Sequence, residues 1–233
     1  MKITITRLMK AFIPYGLIVL HRYYIRNKNN VKNDNDFIWA MTENEQKLFR
    51  EYIFNAKIYM EFGSGGSTIT ALKDSKGKIY SVESSNDWIK TMRKKYEVIK
   101  KAEDSGRLNL IYADIGKTGK WGTPIMADNE NDADRFFNYS HRIFEKYPEI
   151  KFADVVLIDG RFRVASFLST LLNNDVNTIY MFHDFWNRPK YHIVKKFVNI
   201  IDGIDTLMVC KKDPASSNDE IKKEYENYKY NYE

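Results

Sequence analysis

The stretch that decides the fold is Tyr59-Met60-Glu61-Phe62-Gly63-Ser64-Gly65-Gly66-Ser67-Thr68. Ile58 to Phe62 is a short apolar run of the kind buried in a parallel sheet. The residues after it are small and glycine-rich, which leaves room for a ligand to approach the backbone. Ser67 is placed to cap a helix whose apolar face begins with Ile69, Ala71 and Leu72. A strand that runs through glycines into a helix N-terminus offers unpaired N–H groups to a bound molecule.

Two glycine loops of known chemistry fit poorly. A dinucleotide loop reads G-x-G-x-x-G; Gly63 and Gly65 match, but Thr68 holds the third position. A phosphate-binding P-loop closes in Gly-Lys-Ser/Thr, and none follows. Downstream, Lys78 to Val82 reads as a second strand and ends at Glu83. A carboxylate at that tip can accept hydrogen bonds from both hydroxyls of a ribose. Glu61, the glycine loop and Glu83 together resemble the cofactor site of class I S-adenosylmethionine-dependent methyltransferases. Their cofactor has an adenosine and a cationic amino-acid end but no phosphate, so a loop with an acid at its entrance suits it. The resemblance implies an α/β, Rossmann-like fold: a doubly wound, mostly parallel sheet with helices on both faces. It also implies cofactor contacts from Glu61, Gly63, Ser64, Gly65, Ser67, Thr68, Glu83 and Ser84.

The 233 residues suffice for one good-sized α/β domain with additions. Hydrophobic residues at 43% and aromatics at 15% exclude global disorder. The single Cys210 excludes a disulfide framework and a cysteine zinc site, and points to a reducing, cytoplasmic setting. The four histidines show no metal-ligand spacing. The net charge of +6 is modest and the signs are mixed beyond the N-terminus, so nucleic acid is not an expected partner.

Composition divides the chain into a basic and apolar segment with its linker (1–35), a Rossmann-like domain (36–212) and a polar tail (213–233). Ala11 to Leu20 is about half the ~20 residues needed to span a bilayer. Basic and aromatic residues flank it, and no small-residue cleavage site follows. Two readings stand: residues 1–26 touch the inner face of an anionic membrane peripherally, or they form a helix packed on the domain or on a second copy in a homo-oligomer. Thr42 and Glu45 form a capping box ahead of a helix bearing Leu48, Phe49, Tyr52 and Ile53, with Trp39 and Met41 read as core.

After Glu83, a helix is expected from Ser85 or Asn86 to about Lys95, with Trp88, Ile89 and Met92 on its inner face. Leu108 to Tyr112 is a third strand. Asp114, just past its tip, is a candidate for the adenine amino group. Ile115 to Asn138 is a long insertion at a strand's carboxyl end, where open α/β sheets bind ligands. Its Trp121 is a candidate to stack on adenine or substrate. A helix begins near Tyr139. Asp154 to Asp159 reads as a central strand, followed by a helix from Val164 to Leu172. Thr178 to Phe182 is the next strand. Arg188-Pro189 is expected to open one helix carrying Tyr191, Ile193, Val194, Phe197 and Ile200, and Thr206 to Cys210 a last strand. Residues 213–233 read as a mobile tail, with an edge strand at Tyr225 to Tyr232 as the alternative.

Strand order then sets Gly63, Asp159 and His183-Asp184 side by side at one sheet edge. With Trp121-Gly122, the segments Asp159-Gly160-Arg161-Phe162-Arg163 and His183-Asp184-Phe185-Trp186-Asn187-Arg188-Pro189 resemble a bacterial subgroup of these methyltransferases linked to surface-polysaccharide gene clusters. The resemblance runs from Thr42 to Cys210. It implies methyl transfer to a glycan or small hydroxyl compound. A hydroxyl is a poor nucleophile that needs a base or a metal; Asp159, His183 and Asp184 are the candidates. Acids after the fourth and fifth strands also resemble the metal-ligand layout of the catechol O-methyltransferase group, implying Mg²⁺ or Mn²⁺ at Asp159 and Asp184. The amide ligand usual there is missing, because Phe185 follows Asp184. Arg161 and Arg163 are candidates for an anionic substrate group, or for pairing with acids of the insertion. The competing class is a non-catalytic Rossmann-like binding or scaffold protein of an envelope assembly complex. Glu61, Gly63, Gly65 and Glu83 together favour the enzyme.

Overall fold

The computed structural model describes residues 39–125 and 134–233. The expectations for residues 1–35 therefore lie outside the described residues. Helix α1 (Glu43–Ile53) opens on the capping box: the Thr42 side chain accepts from Glu45 N, and Glu45 accepts from Thr42 N. The strands are β1 (Ile58–Phe62), β2 (Lys78–Glu83), β3 (Leu108–Tyr112), β4 (Val155–Ile158), β5 (Ile179–Phe182), β6 (Val198–Ile204) and β7 (Leu207–Lys212). Helix α2 (Gly66–Asp74) joins β1 to β2, while α3 (Asn86–Lys95) and α4 (Glu97–Asp104) join β2 to β3. Helices α5 (Phe137–Ser140) and α6 (Arg142–Lys146) precede β4; α7 (Arg163–Asn173) follows it.

One seven-stranded sheet runs in the order β3-β2-β1-β4-β5-β7-β6. Strands β1 to β5 pair in parallel, whereas β7 is antiparallel to both β5 and β6. The chain reverses its winding between β1 and β4, the crevice where open sheets take ligands. Register fixes what meets there: Phe62 lies opposite Ile158 and Ile158 opposite Phe182, so Gly63, Asp159 and His183 leave the sheet abreast. Alternation along the strands feeds two cores. Met60, Phe62, Val156, Ile158 and Phe182 belong to one; Tyr59, Val155, Leu157 and Met181 belong to the other.

Three local expectations are corrected. Helix α2 starts at Gly66 with Gly65 as its N-cap, so Ser67 lies inside the first turn and its hydroxyl turns back to Glu61. Pro189 to Phe197 forms a 3-10 segment rather than an α-helix, and Ile200 lies in β6. The β-branched Val198, Ile200 and Ile201 suit an edge strand better than a helix end. Residues 213–233 are neither a mobile tail nor an edge strand: Asn218–Tyr228 is helix α8, capped by Ser217, with Ile221 and Tyr225 buried.

Candidate active site

Glu61 sits at the foot of the glycine loop and is fully buried. Its Oε2 accepts from Tyr59 at 2.8 Å and from Ser67 at 2.5 Å. Its Oε1 accepts from Ser81 at 2.6 Å and from Thr68. Burial pushes this carboxyl up, and the four hydroxyls pull it back. All its lone-pair sites are spent on the protein, so Glu61 braces the loop from beneath instead of reaching a ligand. Ser67 and Thr68 are committed with it; Thr68 also accepts from Gly65 N at 2.9 Å.

The two loop glycines differ. Gly63 has φ +95°, and a Cβ there would lie 2.8 Å from the Gly160 backbone, so the β1 and β4 turns touch through glycines. A Cβ on Gly65 would meet nothing within 4 Å. Beside this open position stands Glu83. Its Oε1 accepts from Ser85 N at 2.8 Å and its Oε2 from Ser64 N at 3.3 Å. Burial raises this carboxyl, and the N–H groups of Ser85, Ser64 and Ser84 oppose that. The Ser84 hydroxyl donates towards Glu83 and towards the Gly122 carbonyl, 3.4 Å away. Trp88, expected inside, is 38% exposed and donates from Nε1 to the Ser64 carbonyl at 2.8 Å, lying against the glycine loop.

Asp114 is exposed and accepts from Gly116 N and the Tyr112 hydroxyl. Trp121 is 71% exposed with φ +61°, and its carbonyl accepts from Arg161 Nε at 3.0 Å. Tyr139, which the sequence did not single out, is buried beneath the β4 turn, its hydroxyl accepting from Arg161 N at 3.3 Å. Burial and the nearby Glu83 hold that phenol well above its ordinary value.

At the β4 and β5 tips the acids and cations interlock. His183 Nδ1 lies 2.7 Å from Asp159 Oδ1, and its Nε2 lies 3.4 Å from Glu45 Oε2. Burial alone would lower the imidazole pKa, but the hydrogen bond and charge of Asp159, with Asp184 and Glu45, raise it. His183 thus stands between two carboxylates that favour its protonated form, with Asp159 on Nδ1 and Glu45 facing Nε2. Burial would raise the Asp159 carboxyl, yet His183, Arg163 and Arg188 hold it below its usual range. Arg163, proposed for substrate, is buried and spent on Asp159 at 3.1 Å, Asp184 at 3.0 Å and the His183 carbonyl at 2.7 Å. Arg188 reaches Asp184 at 2.7 Å.

Asp159, His183 and Asp184 present donor atoms within 4.8 Å of one another. A divalent ion nevertheless fits badly. Both nitrogens of His183 face carboxylates, and Arg163 already bridges the two acids. Asp159, Asp184 and Glu45 already face Arg163 and His183, both buried, so an ion has to displace one of these. Among the described residues Asp159 Oδ2 carries no hydrogen bond, which leaves one carboxylate oxygen open at the tip of β4.

The sheet order, the switch point and this site together decide the architecture. The chain has the class I methyltransferase fold. A methyltransferase-like protein from Silicibacter pomeroyi superposes with a TM-score of 0.71 at 25% identity, covering 84% of this chain and 98% of that one. Looser likenesses include a Podospora anserina methyltransferase bound to S-adenosylhomocysteine (TM-score 0.45, 13% identity, 91% and 97% covered). Another is a methyltransferase of mycinamycin biosynthesis with Mg and S-adenosylhomocysteine (TM-score 0.43, 16% identity, 89% and 50% covered). No family model and no curated protein match this sequence. No helix of the described residues is long and apolar enough to cross a membrane.

Proposed function

We propose that this chain is an S-adenosylmethionine-dependent methyltransferase acting on a hydroxyl of a glycan or related small compound. The observation that carries the reading is the pairing of an open Gly65 with Glu83. No packing demand explains a glycine at position 65, where a Cβ would meet nothing. A ligand that needs the space does. Glu83, locked by Ser64 N and Ser85 N beside it, supplies the acceptor for a ribose. Residues 63–65 and 83–84 would hold the cofactor, with Asp114 and Trp121 flanking it. The cofactor's contribution is an electrophilic methyl group on a sulfonium.

The chain's own part is to seat the acceptor and take its proton. With the cofactor bound, Asp159 Oδ2 would be the group of this chain that takes up the acceptor hydroxyl's proton. His183 and Arg163 keep that carboxylate ionised and fix its orientation. No step needs a metal. Calorimetry tests the reading. Wild-type protein should bind S-adenosylhomocysteine, and Glu83→Ala should weaken binding by about 1–3 kcal/mol, the range for hydrogen bonds to a charged group. Binding of NAD with no response to S-adenosylhomocysteine would refute it. Cofactor binding without methyl transfer to any fraction of a cell extract would favour the scaffold role instead.

A further inference from the structure

Around the buried pairs of Arg163 and His183, the strand-end loops carry further, more exposed cations. Arg161 lies in the turn between β4 and α7, two residues past Asp159. Its side chain donates from Nε to the Trp121 carbonyl, and among the described residues its two terminal nitrogens have no partner. Arg188 and Lys190 come from the other side, where the 3-10 segment begins. Arg188 reaches Asp184 at 2.7 Å and the Tyr191 hydroxyl at 3.3 Å, and its side chain is 41% exposed. Lys190 Nζ lies 2.6 Å from Glu233 Oε2.

Glu233 is brought there by its neighbour. Phe162 N, in the β4–α7 turn, donates to the Tyr232 carbonyl at 3.3 Å, and the two rings meet edge to face at 6.5 Å. Lys190 first, then Arg161 and Arg188, hold the Glu233 carboxyl below its ordinary value. One exposed carboxylate is therefore paired with Lys190 of one strand-end loop and lies within the electrostatic reach of Arg161 and Arg188. An exposed ion pair of this kind contributes little to stability and is readily exchanged. A guanidinium with unspent donors matches a carboxylate or a phosphate.

We infer that Arg161, Arg188 and Lys190 receive an anionic group of the methyl acceptor, a carboxylate or a phosphate, and that Glu233 occupies its place in the acceptor's absence. This deepens the methyl-transfer reading and rests on it. The inner cations Arg163 and His183 cannot serve the same purpose, because they are already paired with Asp159, Asp184 and Glu45.

The test titrates full-length protein with galacturonate, with glucose 1-phosphate and with neutral galactose, each with and without S-adenosylhomocysteine, by calorimetry. At least one acidic sugar should bind while galactose does not, and the two acidic arms separate carboxylate from phosphate. Glu233→Gln should tighten the acidic sugar by about two- to fivefold. Arg161→Ala should weaken it about tenfold, with part of the loss restored in Arg161→Lys. Absence of binding by both acidic sugars at millimolar concentration overturns the inference. So does equal binding of galactose, or acidic-sugar binding that ignores both Glu233→Gln and Arg161→Ala. Loss of S-adenosylhomocysteine binding alone would instead strike at the cofactor reading, since the sugar titrations without it stand by themselves.

Discussion

Gly63 and Gly65 stand two residues apart in one loop under different constraints. Gly63 is fixed by the protein: its φ is +95° and the Gly160 backbone fills the space a side chain needs. Gly63→Ala should cost about 1–3 kcal/mol of stability in denaturant unfolding, as strained backbone does. At Gly65 no atom of the protein lies within 4 Å of where a Cβ would stand. Gly65→Val should melt near the wild-type temperature yet fail to bind S-adenosylhomocysteine. Unchanged affinity in that variant would mean the open space is not the ligand's. The glycine spacing and Glu83 were legible in the sequence because they depend on local backbone geometry. Glu61 was legible only as an acid near the loop. Its four hydroxyl partners come from β1, β2 and α2, and no local pattern says that they turn inward together. Likewise Glu45 reads locally as half of a capping box. Its contacts with Thr206 and His183 span 161 and 138 positions of the chain.

Helix α8 shows where reading by element fails. Asn218-Asp219-Glu220-Ile221-Lys222-Lys223-Glu224-Tyr225 is polar in composition, yet Ile221 and Tyr225 fall four apart on one face. Tyrosines carried that stripe, and a count of aliphatic residues passes over it. The helix covers the same core as α7, and the Ser140 and Tyr225 hydroxyls lie 3.1 Å apart. Ile221→Ala should therefore destabilise the whole domain by about 2–4 kcal/mol, measured as a single unfolding transition. A change within ~0.5 kcal/mol would restore the picture of a dispensable tail. The five parallel strands were read correctly because buried strands keep an apolar run of recognisable length. Edge strand β6 was not, since its residues are mostly part-exposed or exposed and its apolar spacing also fits a helix.

Across the molecule, one buried set of charges ties α1, the tips of β4 and β5, and the β6–β7 hairpin into a unit. Glu45 accepts from Thr206 N at 2.8 Å and from its hydroxyl at 2.6 Å while facing His183. Because the cations in this set are side chains, EDTA should leave the melting temperature and S-adenosylhomocysteine affinity unchanged. A drop reversed by Mg²⁺ or Mn²⁺ would show that an ion does displace Arg163. The proton dependence gives the sharper expectation. Asp159 is held below its ordinary value, so its share of stability is present above the unfolded value near 3.9 and is lost as pH falls through the folded value. His183 is raised, so its share is full below the unfolded value near 6.5 and is lost as pH rises through the folded value. The two overlap between about pH 4 and 6.5. His183→Gln keeps the volume but leaves buried Asp159 and Glu45 without their cation. Breaking a buried pair in this way costs about 3–5 kcal/mol. The deficit against wild type should be largest near pH 5–6 and should shrink at higher pH, as the wild-type imidazolium gives up its proton. Urea unfolding of both proteins between about pH 5 and 9 measures this difference directly. A deficit that instead grows from pH 5 to about 6.5 and then levels off would mean that His183 is neutral in the folded protein, and its place between two carboxylates would then rest on shape rather than charge.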